Sequence, residues 1–262
     1  MSEAIIQIED LSIQLSGNHI LTGISLSVTR GEYISIIGPN GAGKTTLIKC
    51  IAGIHRHWSG RIRIGGKGFA EYKSKDLAKV QSYVPQAEGR LIPLTVEQFV
   101  AMGRYPHLSA FTTLTGEDRR AIESSLEQAG LINLRHRAMN TLSGGERQMA
   151  FIAAALAQGA DILLLDEPST FLDYRHQASV SSLLKKSCRE NGITIVAVHH
   201  DINTAAACSD RLYAVKNGKI VFEGTSRQIA DAGILADIYN TGFTITPSPH
   251  HPLPLITAGG AL

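Results

Sequence analysis

Cysteine is scarce. Cys50, Cys188 and Cys208 are the three in 262 residues, and they form neither a CxxC pair nor a paired framework. A disulfide scaffold is thereby excluded, and free thiols in a reducing compartment are expected. Long apolar runs are missing as well. "DILLLDE" and "ITIVAVHH" reach only about half of the roughly 20 residues that span a bilayer, so the chain is not expected to cross a membrane alone. No block of five or six like charges occurs, and 25 Lys and Arg against 23 Asp and Glu leave a net charge of +2. That balance carries no footprint for nucleic acid, and none is expected as a partner. The opening "MSEAIIQIEDLS" lacks the basic, apolar, small-residue progression of a signal peptide and alternates as a strand does. What is present is a 44% apolar chain, long enough for one large domain or a core with a subdomain.

Periodicity gives the organisation. Short alternating strands are expected at 4–15 and 20–28, then "EYISIIG" running into a glycine-rich loop, a helix from Lys44 to about Ala52, and strands at 60–64 and "QSYVPQ". Between Thr95 and Gln158 the pattern turns helical: "TVEQFVAMGR", "GEDRRAIESSLEQAG" closed by Gly130, and "GGERQMAFIAAALAQ". The strand "DILLLDE", a helix through "HQASVSSLLKKSCRENG", the strand "ITIVAVHH" and a hairpin turning at Asn217-Gly218 follow. Alternating strands and helices predict an α/β fold with a parallel sheet. The closing "TPSPHHPLPLITAGGAL" reads as an irregular proline-rich tail.

Two stretches carry chemistry. "GPNGAGKTT", comprising Gly38, Pro39, Asn40, Gly41, Ala42, Gly43, Lys44, Thr45 and Thr46, matches G-x-x-x-x-G-K-[ST] after a buried strand and before a helix. Its glycines let backbone N–H groups converge on phosphate oxygens at a helix N-terminus. Lys44 is expected on the β- and γ-phosphates of ATP and the Thr45 hydroxyl on Mg²⁺. The competing reading, a glycine turn with a surface lysine, does not require that setting. In "ILLLDEP" two acids end an apolar strand: Asp166 to hold Mg²⁺ through water, Glu167 to take the proton of the attacking water. A helix-capping pair is the bland alternative. Together they define a P-loop NTPase.

A third stretch, "TLSGGERQ" at Thr141 to Gln148, is another helix N-terminus fitted for an anion. With Gln86 after "SYVP", "STFLD" ending at Asp173 and "VHHD" at Val198 to Asp201, it makes the chain resemble the ATP-binding cassette (ABC) family, over about residues 3–245. The resemblance implies a P-loop NTPase with a RecA-like core, an antiparallel β-subdomain and an inserted helical signature subdomain. These divide as an ATPase domain at 1–245, its helical part at about 87–157, and a tail at 246–262. Carried over, Gln86 contacts Mg²⁺ and senses the γ-phosphate. Ser143, Gly144 and Gly145 form the signature loop, which in the family caps the ATP of a second copy, and Asp173 lies at that dimer interface. His200, directly before Asp201-Ile202, matches the switch histidine, and strand alternation turns His199 to the opposite face. Catalysis therefore falls to Glu167, His200, Lys44 and Gln86, and the metal to Thr45, Gln86 and Asp166. The adjacent His250 and His251 read as solvated tail residues.

The pattern departs from the family at the adenine. Members commonly stack the base on an aromatic residue after the first strand, whereas Leu15 stands there, leaving Leu15, His19 or the phosphates alone to hold the nucleotide. "VAMGRYPHLS" and "TFLDYRHQ" are similar to the importers of iron–siderophore complexes, haem and cobalamin. That likeness implies integral-membrane permease subunits, a separate substrate-binding protein and a place on the cytoplasmic face of the membrane. An importer of another cargo, such as molybdate or zinc, and a soluble cassette ATPase acting on nucleic acid or ribosomes are the alternatives.

Overall fold

Alternation makes the first strands two-faced. β1 (Ala4–Leu15) buries Ile6, Ile8, Leu11 and Ile13, and antiparallel β2 (Asn18–Thr29) buries Leu21, Ile24, Leu26 and Val28. Ser16 and Gly17 join them with φ of 50° and 82°, the turn geometry whose twist matches a hairpin. β3 (Tyr33–Ile37) is buried at all five residues, as a strand covered on both faces must be. It leads through the glycine-rich loop into α1 (Lys44–Ile51). β4 (Ser59–Ile64) then pairs with β1, and β5 (Lys67–Gly68) with β4, completing the antiparallel sheet β2-β1-β4-β5.

The computed structural model describes residues 4–86, 91–109, 113–249 and 252–259. The chain divides into two compact units, residues 1–69 with 194–262, and residues 70–193. The second unit holds α2 (Ser74–Val80), β6 (Gln81–Val84), α3 (Val96–Ala101), a 3₁₀ stretch at Met102–His107, α4 (Gly116–Gln128), α5 (Gly144–Ala157), β7 (Ile162–Asp166) and α6 (Tyr174–Asn191). Thr95, Thr115 and Ser143 close capping boxes at the starts of α3, α4 and α5, satisfying amides that a helix start otherwise leaves open. β6 runs parallel to β7 and ends at Val84, two residues before the expected Gln86, because Pro85 has no N–H to extend the ladder. Inside this unit Arg104 is paired with Asp118 at 2.8 Å and also donates to the Ala157 carbonyl at 2.9 Å. Bonds from Thr115 and then from Arg104 hold the Asp118 carboxyl down at about 2.

The first unit resumes with β8 (Thr194–Val198), α7 (Ile202–Cys208), β9 (Arg211–Lys216), β10 (Lys219–Thr225), α8 (Ala232–Tyr239), β11 (Phe243–Thr246) and β12 (Leu255–Ala258). β3 pairs in parallel with both β8 and β9, and β10 is antiparallel to β9. Their turn, Asn217-Gly218, has φ of 50° and 72°, as the dipeptide predicts.

The expected irregular tail needs correction. β11 and β12 form an antiparallel pair, with Ile245 opposite Ile256. Ile256 is buried in the same cluster as Leu235 and Ile238 of α8, and burial of such side chains stabilises an element too short to be seen from periodicity. Helices α2, α7 and α8 were likewise not expected. Each spans only seven or eight residues, near the lower limit at which a helical repeat shows. His250 and His251 lie outside the described residues. Cys50, Cys188 and Cys208 are buried thiols outside any disulfide, and burial lifts the Cys50 thiol to about 12. Among the described residues no helix is long and apolar enough to cross a membrane.

Candidate nucleotide site

The loop between β3 and α1 is shaped by its glycines. Gly38, Gly41 and Gly43 have φ of 138°, 75° and 104°, conformations that L side chains resist. A Cβ on Gly38 would also lie 2.0 Å from the Val215 carbonyl oxygen, so this position excludes every other residue. The outer side of the loop rests on the β9–β10 turn, where the Gly218 amide donates to Ala42 O at 3.1 Å. Lys44 begins α1 and is buried. Its Nζ donates to the carbonyls of Gly38 at 2.8 Å and Pro39 at 2.9 Å, so the cation is folded back along its own loop. A buried ammonium is costly unless its protons are bonded. The same group is well placed to exchange those carbonyls for a phosphate oxygen.

The paired acids separate as they leave β7. Asp166 is buried, and the Tyr83 hydroxyl donates to its Oδ2 at 3.4 Å. Glu167 takes φ of 51°, uncommon outside glycine and a sign of a constrained functional turn. Its Oε2 accepts from Gln86 Nε2 and from Thr170 Oγ1, each at 3.0 Å. Gln86 and Glu167 are thus brought together, with the carboxylate oriented by two donors and half-exposed.

Ser143 and Gly144 are exposed, whereas Gly145 is buried. Ser143 Oγ accepts from the Glu146 amide at 3.2 Å, and Glu146 Oε2 accepts from the Ser143 amide at 2.8 Å. That backbone bond holds the Glu146 carboxyl below its usual range. Asp173 caps α6 by accepting from the His176 amide at 2.8 Å, and its Oδ1 lies 2.8 Å from His176 Nδ1. These bonds, the backbone one first, lower the Asp173 carboxyl. The His176 ring packs against Gly145, where an added Cβ would meet it at 2.1 Å.

The two histidines after β8 differ as alternation predicts. His199 is buried, its Nε2 is 3.2 Å from the Tyr33 hydroxyl, and burial lowers it to about 4. His200 is exposed. In the β1–β2 hairpin, Leu15 is half-buried, and His19 lies 2.6 Å, Nε2 to Nε2, from the Gln14 amide.

Tyr83, Thr170, His176 and Tyr239 escaped sequence reasoning. Thr170 stands three residues after Glu167 and Tyr83 three before Gln86, spacings that offered a signal. Tyr239, whose hydroxyl accepts from the Gly38 amide at 3.2 Å, offered none.

Comparison with known proteins points to one family. The model of the ABC transporter family matches residues 21–170. The iron(3+)-hydroxamate import ATP-binding protein FhuC of Bacillus subtilis is 38% identical over 94% of this chain and 92% of its own length. The structure of a putative metal-chelate type ABC transporter in an inward-facing conformation superposes with a TM-score of 0.86 at 25% identity, over 99% of this chain and 98% of that one. A bacterial ABC transporter cassette solved as a dimer gives 0.74 at 29% identity, over 85% and 99%. With its P-loop NTPase fold and its glycine-bound Lys44, the chain belongs to the ABC transporter family, as one of its ATP-hydrolysing cassettes.

Proposed function

We propose that this cassette powers import of an iron–siderophore complex. It sits on the cytoplasmic face of the cell membrane against integral-membrane permease subunits, paired with a second copy of itself and served by a separate substrate-binding protein. The cargo reading is supported by the iron(3+)-hydroxamate relative and the metal-chelate transporter, and the pairing by the dimeric cassette. Leu91, Met102 and Tyr105 are exposed large apolar side chains within 86–107, the stretch proposed to meet the permease. Docking is proposed for residues around Gln86 to His107, and the helical part at about 87–157 carries the signature loop.

The observation that carries the catalytic reading is Glu167, turned off β7 and held by Gln86 and Thr170. In the proposed reaction the oxygen of water bonds to the γ-phosphorus as the bond to the β–γ bridging oxygen breaks. Glu167 takes the water's proton, and ADP and phosphate leave. Lys44 and backbone N–H groups beyond Pro39 in the 38–46 loop hold the phosphates, and His200 bonds the γ-phosphate. Ser143, Gly144 and Gly145 cap the partner copy's nucleotide, with Asp173 beside them at the interface. The Thr45 hydroxyl, the Asp166 carboxylate and the Gln86 amide oxygen are hard oxygen donors of the kind Mg²⁺ takes. Among the described residues no three His, Cys, Asp or Glu gather at one point, in keeping with an ion that shares its shell with substrate phosphates. Bound there, Mg²⁺ would neutralise phosphate charge.

Reconstituting the chain with its permease and binding protein in liposomes tests the proposal. ATPase activity should rise with a ferric hydroxamate or catecholate and not with molybdate or zinc. Stimulation by haem or cobalamin alone would reassign the cargo, and tight binding of duplex DNA without a permease would overturn the importer reading.

A further inference from the structure

The last thirty residues of the described chain touch both loops that flank the nucleotide residues of the first unit. One apolar cluster contains Ile37, directly before Gly38, Ile202, directly after Asp201, and Leu235, Ile238 and Ile256 of the C-terminal elements. Two polar ties lie over it. The Gly38 amide donates to the Tyr239 hydroxyl at 3.2 Å. The Asn203 side chain brackets the backbone of Ile256, donating to its carbonyl and accepting from its amide, each at 2.9 Å. α8 is anchored in turn, since Lys216 Nζ donates to the Asp237 carbonyl and to Asn240 Oδ1.

We propose that α8, β11 and β12 form a brace for the nucleotide loops, in which Tyr239 is a positioning residue for Gly38 and, through it, for Lys44. The path is a short one. Tyr239 holds the amide of Gly38, and the carbonyl of that same residue holds Lys44 Nζ at 2.8 Å. Gly38 is also pressed against Val215, so its peptide is held on two sides while the rest of the loop turns. Burial and the nearby Asp201 keep the Tyr239 hydroxyl protonated, lifting it to about 12 against the opposing effect of the Gly38 bond. The tie is therefore between neutral groups around neutral pH. At the second tie, Asn203 lies one residue into α7, whose N-cap is Asp201. The bracket on Ile256 thus fixes the helix that leaves His200. Two bonds to a backbone in register are directional, which apolar packing alone is not. Removing one neutral bond from a buried site weakens what depends on it by about 2- to 10-fold.

Tyr239→Phe tests the brace in the full chain, because it keeps the ring against Phe243 and deletes only the hydroxyl. The expected result is an ATP KM and an equilibrium dissociation constant raised by about 2- to 10-fold, with kcat at saturating ATP nearly unchanged. Hydrogen exchange at Gly38 should quicken. Thr257→Val removes a hydroxyl of the same hairpin that reaches neither loop and should alter none of these. Asn203→Leu should quicken exchange in α7 and β12 and leave the Gly38 amide protected. Tyr239→Phe binding ATP as the wild type does, or a loss confined to melting temperature, would overturn the proposal. ATP affinity is read without permease or cargo, so the outcome is independent of the importer reading.

Discussion

Gln86 Nε2 and Glu167 Oε2 lie 3.0 Å apart although 81 residues separate them in the chain. The amide can only donate through that nitrogen, so it and Thr170 together aim the carboxylate oxygen. Glu167→Gln should retain ATP binding and lose at least about 100-fold in turnover, the range that general-base catalysis supplies. Gln86→Ala should slow turnover less, because Thr170 still orients the base. Single-turnover hydrolysis beside nucleotide binding separates the two, and wild-type turnover by Glu167→Gln would remove Glu167 from the chemistry.

The exposed Ser143-Gly144 start of α5 leads to a second expectation. A γ-phosphate held on one side by Lys44 still needs its outward charge covered, and a helix start from another copy can cover it. Glu167→Gln with ATP and Mg²⁺ should sediment as a dimer, and the ADP form as a monomer. Adding Ser143→Arg should abolish the dimer while monomers still bind ATP. A dimer that survives Ser143→Arg would exclude capping by the partner copy.

His199 predicts a pH window. Burial lowers it from 6.5 to about 4, so between those values the unfolded chain binds a proton that the folded chain does not. Stability therefore falls as pH drops through that window, by roughly 1.4 kcal/mol per unit at most, and is unaffected by this group above it. Urea unfolding from pH 7 to 4 should show the slope. His199→Gln, which can still bond Tyr33, should flatten it.

Arg104 and Asp118 act lower on the pH scale. The Asp118 carboxyl is held at about 2 against an ordinary 3.8, so its contribution is full above the ordinary value and is lost as pH falls towards 2. Both side chains are almost wholly buried. Asp118→Asn or Arg104→Leu leaves the partner's buried charge without its counter-ion and should cost about 3 kcal/mol in chemical denaturation at neutral pH. The double change to apolar residues should recover much of that loss.

The parts that sequence alone determined are local. "GPNGAGKTT" is contiguous, and phosphate binding needs only a tight turn and the helix start behind it, so Lys44 and Thr45 could be named from spacing. The strands β1, β3, β7 and β8 carried their period or their apolar run in single stretches. Alternation was enough to separate buried His199 from exposed His200, because it is a property of adjacent residues. The resemblance in "LSGGE" and "STFLD" located Ser143 and Asp173.

Tertiary structure decided what joins distant positions. The Gln86–Glu167 bond spans 81 residues, the Asn203–Ile256 bracket 53, and the Tyr239–Gly38 bond 201. A side-chain bond of this kind leaves no period in either segment, and a tyrosine near the end of a short helix reads the same whether it faces solvent or a glycine amide. The tail shows the same limit. Four-residue β11 and β12 fold because Ile256 finds a core built by Ile37, Ile202 and Leu235, and burial of that sort belongs to the assembled unit rather than to any one stretch of chain.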